Sequence, residues 1–316
     1  MTEDRMQSER PRESTSAFCP LLSAFIRGVL TMTLLGLNLA FWGIFVFAVG
    51  LLKLVTRGAP RRRVILAVSW LAEHWVEGNS RIFDSLLPTV WDIRGMEGTR
   101  YDGRYLIISN HVSWVDIFAL FRAFHGHAPL IRFFLKSMLA WVPLVGQAAW
   151  ALDFPFMKRY SPEYLAKHPE KRGRDLETTR RAVRRYRDIP VSILNFVEGT
   201  RFSQEKRADQ DSPYRHLLRP RVGGIGFVLA SMGEQLDGFF DVTLAYPGGD
   251  VHMWDFATGR VPWITVDAHR IEIPSEFFAA EITEPGPARD RFKAWIDEVW
   301  RRKDEELAKM EGNVSS

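Results

Sequence analysis

The apolar positions divide the chain into one long run near the N-terminus and a series of shorter segments after it. Residues 28–52, between Arg27 and Lys53, contain no charged side chain. As an α-helix this run is about 37 Å long, which exceeds the hydrocarbon core of a bilayer at about 30 Å. It also lacks the polar stripe that a buried helix of a soluble protein normally shows. The pattern therefore predicts a transmembrane or membrane-embedded helix, preceded by a polar tail over residues 1–27.

A second apolar segment, over about residues 64–87, is interrupted by Glu73, His74 and Glu77. A charged but amphipathic segment of this kind fits a helix lying in the membrane interface better than a second full span. Residues 28–88 are therefore predicted to form the membrane anchor. Basic residues flank the anchor on both sides, so the charge bias alone does not set its orientation.

From about residue 89 onwards, short apolar segments alternate with more polar helical ones, which is typical of an α/β domain. The predicted strands are 89–96, 104–110, 129–135, 148–154, 190–197, 239–246 and 264–273. The predicted helices are 113–124, 174–187, 224–235 and 286–311. The predicted fold class is α/β, with a central mixed sheet flanked by helices over residues 89–275 and a C-terminal helix within 276–316.

Charge and cysteine content narrow the function classes. The chain has 42 Lys and Arg against 38 Asp and Glu, a net charge of +4, which is too mild to indicate nucleic-acid binding. Its one cysteine, Cys19, excludes an intramolecular disulfide framework and any multi-cysteine metal site. Basic residues are concentrated in residues 158–187. That stretch suits anionic lipid headgroups, an acidic carrier protein or the phosphates of coenzyme A, and a solvated helix face remains the alternative.

A histidine and an aspartate lie five positions apart where a predicted strand meets a predicted helix. On one continuous helix, His111 and Asp116 would point about 140° apart, so they meet only if His111 precedes the helix. Such a pair suits a general base whose tautomer is fixed by a carboxylate. The alternative is a capping box, with Ser113 at the N-cap and Asp116 at N3, and the two interpretations are compatible.

A second motif, Glu-Gly-Thr-Arg at 198–201, follows the predicted buried strand 190–197. Backbone N–H groups and a guanidinium suit phosphate oxygens, so this sequence can form a phosphate-binding turn. The alternative is an ordinary turn with a solvated arginine. Glu198 is expected either to position Arg201 or a substrate hydroxyl, or to be a buried structural acid paired with an arginine.

In order and context these motifs resemble those of the glycerolipid acyltransferases, specifically the 1-acylglycerol-3-phosphate (lysophosphatidate) acyltransferases. In that family a His-x4-Asp block is followed by an aromatic and basic block, then Glu-Gly-Thr-Arg, then an apolar block with proline. Residues 154–159 are similar to the second block and residues 242–247 to the last. The second block departs from the pattern, because Leu152-Asp153 stand where a leading glycine is expected. This departure affects the expected identity of the acceptor lipid more than the expected type of reaction.

The resemblance implies transfer of a fatty acyl group from acyl-CoA or acyl-carrier protein to the sn-2 hydroxyl of lysophosphatidic acid. His111 would act as the base and Asp116 would orient it, with direct attack on the thioester. Arg159 and Arg201 would grip the acceptor phosphate. The substrate-binding residues would be Arg159, Glu198, Gly199, Thr200 and Arg201.

The same resemblance implies no cofactor, with lysophospholipid, acyl donor and membrane lipids as partners. No metal is expected, because a metal cage would need more clustering of His, Asp and Glu than this chain shows, and no nucleic acid is expected from the mild net charge. Because acyl donors are made in the cytosol, the catalytic domain is expected on the cytoplasmic face of a bacterial cytoplasmic membrane. The alternatives are an acyltransferase for another lysophospholipid acceptor, a membrane-anchored lipid hydrolase or phosphohydrolase, and a non-catalytic lipid-binding protein.

Overall fold

The sheet at the centre of the molecule is mixed. The computed structural model describes residues 18–158, 164, 167–168, 174–249 and 251–314. The strands are β1 (Val90–Arg94), β2 (Arg104–Ser109), β3 (Ile131–Phe133), β4 (Leu135–Lys136), β5 (Phe156–Met157), β6 (Val191–Phe196), β7 (Gly238–Ala245) and β8 (Trp263–Arg270). Six of them form one sheet in the order β1-β8-β7-β2-β6-β3, and β4 pairs with β5 separately. Among the described strand pairs, only β7–β8 is antiparallel. The predicted α/β class with a mixed sheet is confirmed.

Helices cover both faces of this sheet. They are α1 (Phe18–Gly50), α2 (Gly58–Leu86), α3 (Val115–Phe124), α4 (Val145–Ala151), α5 (Arg174–Tyr186), α6 (Gln204–Asp209), α7 (Gly223–Met232), α8 (Met253–Ala257) and α9 (Pro287–Val314). Successive residues of a strand point to opposite faces. Ile107 on β2 accordingly packs with α2 and α3, whereas Leu106 and Ile108 pack with α5, α7 and α9. Both faces of β2 are buried, which explains its uninterrupted apolar sequence.

The first two helices form an antiparallel pair held together by a polar contact. Asn38 Nδ2 of α1 donates to the Trp75 carbonyl and to Asn79 Oδ1 of α2, both at 2.9 Å. A Cβ at Gly78 would lie 2.5 Å from Asn38 Oδ1, so glycine is required for this approach. The helix α1 begins at Phe18, ten residues before the predicted start, and within it Arg27 packs against Gly259.

Helix α1 contacts the α/β domain near both of its ends. Gly28 lies against Trp254 and Thr258, and Gly50 lies against Ala151. These contacts are separated by about 33 Å of helix at 1.5 Å per residue. Among the described residues, one helix, Leu21–Leu54, is long and apolar enough to cross a membrane, with 22% of its most apolar window buried. Most of its apolar surface therefore faces outwards along the flank of the domain.

The predicted strand at 148–154 is wrong, because residues Val145–Ala151 form the helix α4. A short apolar run does not distinguish a strand from a buried helix by its periodicity. Close packing decides the outcome here: a Cβ at Gly146 would lie 2.1 Å from the Ala140 carbonyl oxygen, and Ala151 packs on α1. The predicted strand at 129–135 is also divided, since β3 joins the main sheet and Leu135 belongs to β4.

Candidate active site

The carboxyl ends of the parallel strands β2 and β6 bring the two sequence motifs together. His111 follows β2 and precedes α3, as its spacing from Asp116 requires. Its Nδ1 lies 2.7 Å from Asp116 Oδ2. An ionised Asp116 requires the proton on Nδ1, which leaves a lone pair on Nε2. The imidazole is 18% exposed, so this nitrogen is accessible while Asp116 is fully buried.

Asp116 is held by four donors. Besides His111 Nδ1, its Oδ2 accepts the backbone N–H groups of Val112 (2.7 Å) and Ser113 (3.0 Å). Its Oδ1 accepts the hydroxyl of Tyr246 at 2.6 Å. Burial, followed by the nearby carboxylate, raises the pKa of Tyr246 well above its usual value, so the phenol stays protonated and donates. Half of the predicted capping box is present, because Asp116 accepts the Ser113 N–H while Ser113 Oγ accepts from Val115 instead.

The Glu-Gly-Thr-Arg turn contacts His111 through the backbone. Glu198 Oε2 accepts the His111 N–H at 3.4 Å, and the His111 carbonyl accepts the N–H of Phe202 at 2.7 Å. The imidazole stacks on the ring of Phe196, with centroids 4.0 Å apart. The turn and the strand before it therefore fix both the backbone and the ring plane of His111.

Glu198 has a different environment from the two that the sequence suggests. It is fully buried, and its carboxyl group accepts backbone N–H groups of Leu218 (3.2 Å) and His111 instead of pairing with Arg201 or another arginine. Burial raises the pKa of Glu198 to about 8, against the lowering effect of these two N–H groups. Through its contact with the His111 N–H, Glu198 positions the backbone of His111.

The remaining predicted substrate-binding residues follow Glu198 in the turn that contacts the His111 backbone, with one outside the described residues. Gly199 adopts a φ of +72°, which favours glycine. Thr200 Oγ1 accepts from Lys206 Nζ at 3.1 Å. Arg201 is exposed, and its guanidinium carbon lies 5.2 Å from the centre of the Trp114 ring. Arg159 lies outside the described residues.

A family comparison agrees with this arrangement. The family model described as Acyltransferase matches residues 91–246, from β1 to Tyr246. That span contains both motifs and their contacts. The chain carries a domain of the Acyltransferase family. Within the described residues, no group of three or more His, Cys, Asp or Glu side chains is arranged to hold a metal ion.

Several curated proteins are similar to this chain over most of its length, and the chain spans about 56–71% of their own length. Lysocardiolipin acyltransferase 1 of Danio rerio is 26% identical over 303 residues, 90% of this chain and 71% of that protein. An uncharacterized acyltransferase of Schizosaccharomyces pombe is 25% identical over 64% of this chain and 58% of that protein. The 1-acyl-sn-glycerol-3-phosphate acyltransferase epsilon of Mus musculus is 26% identical over 63% of this chain. The match spans 56% of the mouse protein.

A solved structure shares the fold. The 1-acyl-sn-glycerophosphate (LPA) acyltransferase PlsC from Thermotoga maritima superposes with a TM-score of 0.56 at 15% identity. The alignment covers 92% of this chain and 98% of that one. The shared architecture therefore includes the N-terminal helices as well as the sheet.

Two polar residues of the site are not predicted by the motifs. Asn110 makes a paired contact with Leu244, donating to its carbonyl and accepting its N–H, both at 2.9 Å. This contact prolongs the β2–β7 pairing by one residue and fixes the start of the His111 turn. Tyr246 lies in the apolar block that carries the family resemblance, but only the fold shows that its hydroxyl reaches Asp116. The available signal in the sequence is a tyrosine, with its polar hydroxyl, directly after a buried apolar strand.

Replacing Glu198 with glutamine should flatten the dependence of stability on pH. The folded-state pKa of about 8 lies above the ordinary value of 4.5, so between these values the folded chain holds a proton that the unfolded chain has lost. The wild-type free energy of unfolding should therefore fall as pH rises through this window, by at most about 1.4 kcal/mol per pH unit. Glu198→Gln keeps the neutral shape and removes this loss.

The measurement is the melting temperature of the purified protein at pH 5.5 and pH 8. Between pH 5.5 and pH 8, the melting temperature of the wild type should fall more than that of Glu198→Gln. Glu272→Gln, at an exposed acid, supplies the same change of charge and should follow the wild type. If Glu198→Gln showed the wild-type pH dependence, Glu198 would be ionised in the folded protein.

Proposed function

We propose that this protein transfers a fatty acyl group from acyl-CoA or acyl-carrier protein to the sn-2 hydroxyl of lysophosphatidic acid, giving phosphatidic acid. The observation that carries the proposal is the position of the His111 imidazole. It is bound to the buried Asp116 and lies beside the turn that presents Arg201. A general base next to a turn that carries an arginine suits a substrate whose hydroxyl and phosphate belong to the same small glycerol unit.

The chemical steps follow from the lone pair on His111 Nε2. This nitrogen takes the proton of the acceptor hydroxyl as the oxygen attacks the carbonyl carbon of the thioester. The new C–O bond forms, the C–S bond breaks, and the leaving thiolate takes the proton back from the imidazolium. Asp116 stabilises the imidazolium between these two events, because its carboxylate is bound to Nδ1.

Direct transfer, without an acyl-enzyme, is supported by the position of Ser113. This serine is the hydroxyl residue within the His111–Asp116 turn, and it is buried. Its Oγ donates to the Val251 carbonyl at 2.6 Å and accepts the Val115 N–H. Both contacts fix the turn. A serine engaged in this way is unsuited to the nucleophile role that the hydrolase alternative requires.

The outward surface of α1 supports attachment to a membrane. Many of its apolar side chains are exposed: Leu21, Leu22, Phe25, Ile26, Val29, Leu30, Met32, Leu37, Phe41, Ile44 and Phe45. An exposed apolar surface of this extent is typical of a protein or membrane interaction site. Because α1 also packs on the domain at both ends, we propose that α1 and α2 are embedded with the domain resting on the bilayer. The expected location is the cytoplasmic face of a bacterial cytoplasmic membrane.

Two glutamates on the outward face of α1 should release the protein from membranes. Leu37 and Phe41 are 61% and 55% exposed, so Leu37→Glu/Phe41→Glu leaves the core intact. Flotation with phosphatidylglycerol–phosphatidylethanolamine vesicles should recover the wild type at the top and the double variant at the bottom. Ala308→Glu/Lys309→Gln, exposed on α9, changes the net charge equally and should float. Flotation of both variants alike would contradict the proposed attachment.

A second acceptor class is favoured by one comparison. One relative, similar over 90% of this chain, is named a lysocardiolipin acyltransferase. In addition, this chain lacks the glycine that is expected at the start of the second block, residues 154–159. Asp153 stands at that point with a φ of +59°, a conformation that favours glycine, and its Oδ1 accepts from Lys53 Nζ at 2.9 Å. The second candidate is therefore the same transfer to another lysophospholipid.

Product analysis separates these candidates. Purified protein is incubated with a mixture of lysophosphatidic acid, lysophosphatidylglycerol, lysophosphatidylethanolamine and lysocardiolipin, together with acyl-CoA and acyl-carrier protein of several chain lengths. Mass spectrometry should show phosphatidic acid as the first and main product. Acylation of a different lysolipid would favour the second candidate. Release of free fatty acid without acylated lipid would contradict acyl transfer.

A further inference from the structure

An arginine outside both motifs lies across the Glu198–Arg201 turn. Arg221 is 20 residues beyond Arg201 in the sequence, in the loop before α7. Its Cδ, Nε and Nη1 lie 3.2, 3.4 and 3.5 Å from the position that a Cβ would occupy at Gly199. The side chain of Arg221 therefore passes directly over the Cα of this glycine. The absence of a side chain at Gly199 provides the space for it.

The loop that carries Arg221 is fixed to the same turn. The Arg221 N–H donates to the Val197 carbonyl at 2.7 Å. The Leu218 N–H donates to Glu198 Oε1 at 3.2 Å, and the other oxygen of Glu198 holds the His111 N–H. The base, the turn and the Arg221 loop are thus joined through one buried carboxyl group. The position of Arg221 relative to His111 is therefore set by hydrogen bonds from three backbone N–H groups.

Neighbouring cations are already engaged by the protein. Lys206 Nζ donates to Thr200 Oγ1 at 3.1 Å and to the Arg201 carbonyl at 2.9 Å. Arg219 Nε donates to the carbonyls of Gln210 and Asp211, both at 3.0 Å. In the part of the chain that the structure describes, the Arg221 guanidinium has neither a hydrogen bond nor an ion pair. It is therefore a positioned cation whose five donors are free for a ligand.

We propose that Arg221 and Arg201 form a two-guanidinium site that selects a phosphate monoester over a phosphodiester in the acceptor. A monoester near neutral pH carries about −1.5 to −2 charges and three terminal oxygens. A diester carries one charge and two such oxygens. One arginine fork suffices for the diester, whereas the second charge of the monoester gains from a second fork. The inference rests on the proposed function and assigns its specificity for the acceptor.

Equilibrium binding without an acyl donor tests this assignment separately from turnover. The probes are lysophosphatidic acid, a monoester, and lysophosphatidylglycerol, a diester, each in detergent micelles. Wild-type protein should bind the monoester more tightly. Arg221→Gln should weaken monoester binding about tenfold while changing diester binding less than twofold, and Arg221→Lys should fall between. Arg219→Gln, the same change two residues away, should keep the wild-type preference.

Two results would overturn the assignment. Equal weakening of both lipids by Arg221→Gln would indicate a general effect on the site, and unchanged monoester binding would show that Arg221 does not contact the phosphate. Turnover is measured in parallel with the same two lipids and palmitoyl-CoA. If wild type bound the monoester through Arg221 but transferred no acyl group to either lipid, the proposed function would fail while the phosphate site stood.

Discussion

Replacing His111 with alanine should lower kcat by about a thousandfold and leave folding intact. A positioned general base contributes roughly 10²–10⁴-fold to a rate. The imidazole is partly exposed and stacks on one ring, Phe196, so its removal costs the fold little. Steady-state acylation of lysophosphatidic acid by palmitoyl-CoA measures the effect.

A matched histidine separates loss of the base from a general effect. His127 lies in the exposed turn between α3 and β3, and His127→Ala should retain wild-type activity. The melting temperatures of both variants should stay close to that of the wild type. Retention of a tenth of the activity by His111→Ala would contradict the role of His111 as the base.

Replacing Asp116 with asparagine should lower kcat by about a hundredfold or more, with little change in either Michaelis constant. The amide keeps the volume of the carboxylate, and its one oxygen can occupy the Oδ2 position, which accepts from Val112, Ser113 and His111 Nδ1. Its NH2 group would then face the Tyr246 hydroxyl, so the hydrogen bonds of the turn are kept while the negative charge is lost. The imidazolium formed during transfer would therefore lose its counter-charge.

Tyr246→Phe is the graded control for this prediction. It removes one donor from Asp116 Oδ1 and preserves both the charge and the tautomer. We expect kcat to fall about tenfold, because one hydrogen bond to a buried charged group is lost. An equal loss in Tyr246→Phe and Asp116→Asn would show that the hydrogen bond from Tyr246, and not the charge of the carboxylate, sets the rate.

Elements with a strong local pattern were predictable from the sequence. The strands β2 and β6 are buried on both faces, so their apolar runs stand out between polar neighbours. Helix α4 was not predictable as a helix, because its seven residues resemble a short buried strand until Gly146 and Ala151 meet their distant neighbours. The packing of Arg27 in α1 against Gly259 is another contact that is remote in sequence.

The same division applies to the site. The spacing of His111 and Asp116 limits their geometry strongly enough to predict that they meet. The environment of Glu198 was not predictable, because its partners are backbone N–H groups of His111 and Leu218, delivered by two other segments. Backbone N–H groups are present in almost every residue type, so the sequence does not show which of them will bind a side chain. Arg221 escapes motif analysis for a related reason, since only the fold places it over Gly199.

In the proposed reaction, His111 takes the proton of the lipid hydroxyl, whose oxygen attacks the thioester directly. The most direct test is a single turnover with excess protein, lysophosphatidic acid and palmitoyl-CoA labelled in its acyl chain, quenched over time. Label should pass from thioester to phosphatidic acid without appearing on the protein, and it should remain on the thioester in His111→Ala. Label that accumulated on the protein and then passed to the lipid at the rate of product formation would contradict the account.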